Sequence, residues 1–270
     1  MTSHSIPMQR ALSRLMVGMA LLAAVHVQAM AADVAAPAPV TKPSADKILR
    51  KMSDNLADAK QFSFKGTRTI GASLAASKTL QATSEIEVTV ARPNRVVGIS
   101  TNAAGVRKFY FDGLHFTLLD AKENTYGVVP LQVTLDELPA QLATTYGFLP
   151  PLADFVMSNP YRDLKRRSKS VTYVGTDTVG MPPIKVHRIK LAGTLADAEL
   201  WIGVDDHLPR KMTASVKGGA DVGTALTIEF NNWNLKPGVT GQTFTFVPPK
   251  DSLQIPMITT AAMQAARESK

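Results

Sequence analysis

Short runs of alternating apolar and polar residues, separated by residues typical of turns, recur over most of this sequence. Glu85 to Val90 is such a run, and it predicts a strand because successive side chains of a strand point to opposite faces. Asp112-Gly113 lies between two further runs and is a strong hairpin signal. We count about six strands before residue 130 and about six after residue 170. The pattern predicts a mainly β (α+β) fold with one large curved antiparallel sheet or a barrel, and not a parallel nucleotide-binding sheet.

Two regions break the alternation and predict helices. The segment from Ala45 to Lys60 follows Ser44, a favourable N-cap residue, and has an apolar face. The segment from Thr134 to Tyr146 has leucines at helical spacing, with Thr134 as the cap and Pro139 placed to kink the helix or delay its start. A second short helix is predicted over Leu152 to Met157. The last strand is predicted over Thr243 to Val247.

The N-terminus has the features of an export signal. Arg10 and Arg14 precede an apolar run of 13 residues, Leu15 to Val27, and small residues follow at cleavage-site spacing. That run is shorter than the ~20 residues of a membrane-spanning helix, so we predict an exported chain without a transmembrane segment after cleavage. The predicted organisation is a signal peptide (1–31), an Ala/Pro-rich tether (32–43), a single domain (44–256) and a C-terminal tail (257–270).

The composition removes several kinds of chemistry. The absence of cysteine excludes disulfides, zinc–thiolate sites, iron–sulfur clusters and thiol nucleophiles. Apart from the signal peptide, the histidines are His115, His187 and His207, and none has a second histidine at metal-ligand spacing. Nucleophile-elbow, zinc-protease and phosphate-loop motifs are missing as well. We therefore predict a protein that is not an enzyme and that holds no cofactor and no metal.

The net charge of +8 is concentrated most densely at residues 165–169, which read Lys-Arg-Arg-Ser-Lys. We interpret this segment as a solvated loop, and binding to anionic lipid headgroups or to an acidic protein partner is the alternative. Basic residues are not interleaved with aromatic ones as in nucleic-acid-binding surfaces, so we predict no nucleic-acid partner.

Three motifs among the predicted strands carry a family resemblance. They are Arg92 to Arg95 after a long strand, then Phe109 to Gly113, then Leu118 to Asp120. Their order resembles the LolA/LolB superfamily of periplasmic lipoprotein carriers. The resemblance implies an N-terminal helix, an unclosed antiparallel barrel and a helical lid, here residues 134–157, over an apolar hollow. It also implies a location in the periplasm.

Further segments resemble one exported branch of that superfamily, the domain-of-unknown-function family 2092. These segments are Leu149 to Asp154 ahead of Tyr161, Tyr173 to Gly175, Leu200 to Ile202, Leu208 to Lys211 and Phe244 to Pro249. Together with the earlier motifs they extend the resemblance over residues 44–255. The carriers couple lid opening to cargo through an arginine, and Arg68 and Arg95 are the candidates by position.

The resemblance implies a ligand site built from strand aromatics and lid side chains. The candidates for this apolar cavity and its lid are Phe62, Phe64, Phe109, Phe111, Leu135, Leu138, Leu142, Phe148, Leu152, Phe155 and Trp201. We predict a monomer that binds or carries a lipid, an acyl chain or another apolar small molecule. The alternative is a non-catalytic module that binds a protein partner or senses the envelope state, with a filled core.

Overall fold

A computed structural model describes residues 42–71, 83–148, 152–217 and 223–268. The predicted signal peptide and nearly all of the predicted tether lie outside these ranges. Twelve strands form one sheet, and their bounds are β1 Gln61–Ile70, β2 Thr83–Ala91, β3 Arg95–Asn102, β4 Gly105–Phe111, β5 His115–Asp120, β6 Thr125–Pro130, β7 Ser168–Val179, β8 Ile184–Gly193, β9 Ala196–Gly203, β10 Pro209–Val216, β11 Gly223–Asn234 and β12 Leu253–Gln254.

The strand order is β12-β6-β5-β4-β3-β2-β1-β11-β10-β9-β8-β7. Neighbouring strands pair antiparallel except β12, which pairs parallel with β6. The sheet ends at β12 and at β7 and does not close, which confirms the predicted mainly β, unclosed architecture. We call β1–β6 the first half of the sheet and β7–β11 the second half.

The two halves join where β1 pairs with β11, and this junction depends on a glycine. The register of β1 against β11 shifts between Ser63 and Lys65. A Cβ atom on Gly66 would overlap the backbone oxygen of Glu229 on β11. Only a residue without a side chain lets the two strands approach this closely.

Helix α1 spans Ala45–Asp58 and confirms the predicted N-terminal helix. The Ser44 side chain accepts a hydrogen bond from the backbone N–H of Lys47, and Asp46 lies in the first turn. One face packs into the core through residues spaced three and four apart, as expected for an amphipathic helix. These buried residues are Ala45, Ile48, Leu49, Met52, Ser53 and Leu56.

Helix α2 spans Leu138–Tyr146 and starts one turn later than predicted. The hydroxyl and backbone N–H of Thr134 both donate to Oε2 of Glu137, each at 2.8 Å. The proline at position 139 occupies the first turn, where its missing N–H has no cost, and this fixes the later start. Gly147 ends the helix with a φ of 65°. The following helix α3 is a single turn, Ala153–Val156.

Helix α4, Pro160–Arg167, contradicts the predicted loop around residues 165–169. The Asn159 side chain caps it by accepting from the backbone N–H of Arg162, and Pro160 opens the first turn. The basic residues fall in the last turn, where they complement the helix dipole. Asn159 and Pro160 are residue types that commonly start helices, but the polar composition of the segment favoured a loop in the sequence analysis.

The predicted strand over Thr243 to Val247 is also wrong, since Gly241–Phe244 forms a 3₁₀ turn instead. Phe244 is buried, and the ring of Phe246 lies 5.5 Å from that of Tyr110 and 5.0 Å from that of Tyr126. Aromatic packing, rather than strand pairing, therefore anchors this segment.

Helix α5, Thr260–Glu268, lies within the predicted C-terminal tail. The hydroxyl of Thr260 donates to the backbone oxygen of Thr144 at 2.9 Å, which ties α5 to the end of α2. The domain boundaries at 44 and 256 stay predictions.

Candidate functional site

The inner face of the sheet, against which the helices pack, changes from apolar to polar along the strands of the first half. Residues paired across strands share a face and form rows. The first row is Phe62, Val90, Val96, Phe111 and Phe116, and the second is Phe64, Val88, Gly98, Phe109 and Leu118. The third row is Gly66, Ile86, Ser100, Arg107 and Asp120. Arg68, Ser84 and Asn102 form a fourth, polar row.

A cavity of about 180 Å³ lies over this change from apolar to polar. Its apolar lining comes from strands β2 to β5, from the turn between β3 and β4 and from two residues beside α2 and α3, and consists of Ile86, Val88, Ile99, Ala104, Phe109, Leu118, Phe148 and Leu152. Its polar side is lined by Arg68, Ser100, Asn102, Arg107, Lys108 and Asp120. A pocket of this kind, apolar with a few polar groups on one side, is typical of small-molecule sites.

Gly98 determines how the cavity floor is shaped. A Cβ atom at this position would overlap the ring of Phe109 on the neighbouring strand. The ring therefore lies flat over Gly98, where it also packs 6.4 Å from the ring of Phe116. Without the glycine, Phe109 would have to move into the cavity.

Leu152 separates this cavity from two others. A small one of about 30 Å³ is lined by Leu135 and Leu138, and a larger one of about 550 Å³ lies between α2–α4 and strands β10 and β11. Leu152 lines all three. Its φ of 70° is a left-handed conformation that costs a non-glycine residue about 1–2 kcal/mol. Strain of this kind is typical of segments that switch between conformations.

Arg68 is the charged group that distinguishes this site. Its Nε is buried and has no hydrogen-bond partner among the described residues. Burial lowers the pKa of the Arg68 guanidinium, although an arginine remains protonated at neutral pH. The other arginine at the cavity, Arg107, forms an ion pair with Asp120 at 3.1 Å.

There are two candidates for a lid-coupling arginine. Arg68 lines the cavity, whereas Arg95 is exposed at the first residue of β3. The arginine that contacts the helices is Arg92. It donates to the backbone oxygen of Val156 at the end of α3 at 2.6 Å, and to that of Leu56 on α1 at 3.4 Å. Sequence analysis had interpreted Arg92 only as part of a turn motif.

The predicted site residues separate into three groups. Phe109, Phe148 and Leu152 line the main cavity, and Leu135 and Leu138 line the small one. A second group is fully buried in the core, and it consists of Phe62, Phe64, Phe111, Leu142 and Phe155. Of these, Phe155 also lines the larger cavity and packs 5.1 Å from the ring of Phe230.

Trp201 forms the third group by itself, because it lies on the outer face. It pairs across strands with Lys211 and Arg188, whose cationic groups lie 5.8 Å and 5.2 Å from its ring. Its Nε1 donates to Asp177 at 3.3 Å. The expectation that Trp201 lines the apolar hollow is therefore corrected. Its neighbour Leu200 points inward, since adjacent residues of a strand alternate between faces.

The inner tryptophan is Trp233, which sequence analysis missed. The predicted strand ended at Asn232, whereas β11 continues to Asn234. The indole packs 4.7 Å from the ring of Phe64 and 5.8 Å from that of Phe230, and it donates to the backbone oxygen of Pro209. It belongs to the core beside the junction of the two halves.

The basic residues at the end of α4 have acidic neighbours. Lys165 lies 2.8 Å from Asp46, Arg166 lies 3.2 Å from Asp163, and Arg167 pairs with Asp154. These contacts neutralise much of the charge that the sequence suggested for an acidic partner or a lipid headgroup.

His115 and His187, both within the described ranges, have contacts that a structural role accounts for. His115 lies 3.6 Å from Asp112, but the same carboxylate accepts the backbone N–H groups of Leu114 and His115 and so shapes the hairpin turn. His187 packs edge-on against Tyr173. Within the described ranges, no group of three or more histidine, aspartate or glutamate residues could hold a metal ion. No helix in these ranges is both long and apolar enough to span a membrane.

Several solved structures are similar to this chain. One is the Pseudomonas aeruginosa MucA/MucB complex, at 14% identity and a TM-score of 0.41, with 78% of this chain and 64% of that chain covered. Another is a LolA superfamily protein from Nitrosomonas europaea, at 12% identity and a TM-score of 0.36, with 76% and 99% covered. A DUF1329 family protein from Desulfovibrio piger is 9% identical, with a TM-score of 0.37 and 74% and 95% covered. This chain thus spans less than two thirds of the MucB structure.

A search of curated protein sequences finds no match. The sequence model of the DUF2092 family, described as a predicted periplasmic protein, matches residues 45–258. That range begins at the first residue of α1 and ends just before α5. The sheet, its covering helices and the cavity all lie inside it, and the chain belongs to the DUF2092 family of predicted periplasmic proteins.

Proposed function

We propose that this protein binds an apolar ligand, a lipid or an acyl chain, in the cavity on the inner face of β2–β5, without catalysing a reaction. The observation that carries this proposal is the cavity itself. It is lined by eight apolar side chains, and two of them, Phe148 and Leu152, lie beside α2 and α3 and cover it. A filled core, which the alternative of a protein-interaction module predicts, would leave no such space.

The size of the cavity indicates that the cover moves when a ligand binds. Its volume of about 180 Å³ is below the ~300–1,000 Å³ of typical ligand pockets. Leu152 lies between this cavity and the larger one of about 550 Å³. A change of the Leu152 backbone that carries its side chain away from the sheet would join the two into a space of the usual size. The left-handed conformation of Leu152 favours such a change, since leaving it relieves backbone strain.

The energy of binding is adequate even for a partly enclosed chain. Each buried methylene contributes about 0.8 kcal/mol, so ten of them contribute about 8 kcal/mol. Ordering the chain and fixing it in the site offsets part of this gain. A micromolar dissociation constant corresponds to about 8 kcal/mol of binding free energy. Enclosing part of a long acyl chain, together with some polar contacts, is therefore enough to reach it.

The proposal is tested by native mass spectrometry of the protein purified from the periplasm, followed by organic extraction. We expect an added mass that extracts as lipid, and uptake of an apolar fluorescent probe after delipidation. Leu118→Trp fills the cavity and should abolish uptake. Leu114→Trp places the same side chain on an exposed turn and should leave uptake unchanged. A bare mass together with no probe uptake by the unaltered protein would overturn the proposal and favour the protein-interaction module.

A further inference from the structure

We propose that the ligand is an amphiphile with an anionic head, a carboxylate or a phosphate, held by Arg68 at the polar side of the cavity. This inference rests on the proposed function and specifies the ligand class of the same site. It follows from three observations, which are the direction of polarity along the strands, the pairing of the other inner-face cation and the burial of the unpartnered Arg68 Nε.

The first observation is that the polarity runs in one direction. The rows beginning with Phe62 and Phe64 are apolar, and the row beginning with Arg68 is polar. Arg68 lies two residues before the end of β1, so the polar row is close to the strand ends. A chain lying along the inner face would place its tail toward the first two rows, beneath Phe148 and Leu152. Its head would then lie beside Arg68.

The second observation is that the other cationic side chain lining the inner face here already has an anion. Arg107 pairs with Asp120 at 3.1 Å, and these two charges cancel. Lys65 is on the same strand as Arg68, but it lies on the outer face and pairs with Glu87 at 2.9 Å. Arg68 has no carboxylate partner among the described residues. Lys108 also lines the cavity, but it pairs with Ile99 and Leu119 in the row that faces outward. Arg68 is therefore the inner-face cation here that is left for a ligand head.

The third observation is that the Nε of the half-buried Arg68 has lost water without gaining a partner. Its Nε is buried and makes no hydrogen bond within the described chain. Leaving a buried charged donor unpaired is costly, and an anion recovers that cost by accepting a charge-assisted hydrogen bond. The planar guanidinium matches two oxygens of a carboxylate or a phosphate at once. Neighbouring Asn102 already bonds Ser84 at 3.2 Å, so a neutral polar head would find fewer free donors.

The test uses three ligands that share a sixteen-carbon chain, namely palmitate, hexadecyl phosphate and hexadecanol. Each displaces an apolar fluorescent probe from the purified, delipidated protein. We expect at least one anion to bind at least about tenfold more tightly than the alcohol. The tighter of the two anions identifies the head as a carboxylate or a phosphate.

Two variants isolate the role of the charge. Arg68→Met keeps a long side chain and should abolish the preference for anions while the alcohol still binds. Lys65→Met removes the same charge from the outer face of the same strand and should preserve the preference. Arg68→Lys keeps the charge and should retain part of the preference for anions. Thermal unfolding checks that every variant is folded.

The possible failures are distinct. Equal binding of all three ligands to the unaltered protein would overturn the role of Arg68 and leave the apolar site intact. A preference that survives in folded Arg68→Met would also overturn it. Failure of the probe and of all three ligands would overturn the proposed function, and this inference with it.

Discussion

Two regions of the inner face are covered in different ways. Over β7 and β8 the cover is α1, a capped helix of 14 residues with a continuous buried face, together with α4. The inward residues of that region, Ile189, Leu191 and Leu200, are buried. Over β2–β5 the main cavity is covered by Phe148 and Leu152, and α3 is a single turn.

The difference shows that a similar apolar sheet surface can be filled as core or can keep a cavity, depending on what covers it. A long helix anchored at its N-cap fills the space between side chains and contributes to stability. The cover formed by Phe148 and Leu152 leaves a cavity, which is the ligand site of the proposed function. Regions of low local stability are where ligand-gating motions occur in proteins generally.

The largest effect is expected in the region under α1. Leu49 is fully buried, and Leu49→Ala should lower the free energy of unfolding by about 2–5 kcal/mol. Leu152→Gly deletes a similar side chain next to existing cavities and also relieves the left-handed strain, so we expect a loss of about 1 kcal/mol. Urea unfolding of both variants measures the two values. Equal losses would show that the two regions are packed alike.

An intermediate effect is expected at Gly98. In Gly98→Ala the new methyl group pushes the ring of Phe109 into the cavity, and probe affinity should fall about tenfold. The matched variant is Gly66→Ala, where the obstacle is the backbone oxygen of Glu229 at the junction of the halves. That variant should reduce stability more than affinity. Unaltered probe affinity in folded Gly98→Ala would mean that the probe does not occupy this cavity.

The smallest effect is expected at the surface of α1. Hydrogen bonds from Lys165 and from Tyr161 lower the pKa of Asp46. A lowered folded pKa means that the stabilisation is present above the unfolded value of about 3.9 and is lost as the pH falls through the folded pKa. Because Asp46 is more than a third exposed, Asp46→Asn should cost at most about 1 kcal/mol at pH 7.

The check is thermal unfolding of Asp46→Asn and the unaltered protein between pH 7 and pH 2. The difference between them should shrink toward zero at the acidic end of this range. A difference that stays constant with pH would show that the ion pair with Lys165 does not stabilise the link between α1 and α4.

Much of the fold could be predicted from the sequence because its signals are local. The alternation from Glu85 to Val90 and the cap at Ser44 each depend on a few neighbouring residues, and β2 and α1 occur where these signals predict them. Predictions failed where a local signal was weak or competed with packing. The segment at Phe244 had strand-like composition, but aromatic contacts made by Phe246 hold it against the sheet as a 3₁₀ turn and coil.

The candidate site was less accessible to prediction. Phe109, Phe148 and Leu152 were expected at the cavity and line it, whereas Trp201 lies on the opposite face. A shift of one residue along a strand exchanges inside and outside, and a list of strand aromatics does not by itself resolve this. The contacts of Arg92 and Trp233 could not be predicted from the residues around them, because the partners of both side chains are distant in sequence.

The sequence by itself determined the helix that starts the domain, the succession of strands and the family to which the chain belongs. These follow from capping residues, alternation and ordered motifs, which act over a few residues at a time. Only the tertiary structure decided that β1 pairs with β11, that Leu152 lines three cavities and that the Arg68 Nε is buried without a hydrogen-bond partner among the described residues. Such features arise where distant segments meet, and there burial and pairing are properties of the packed molecule rather than of any one segment.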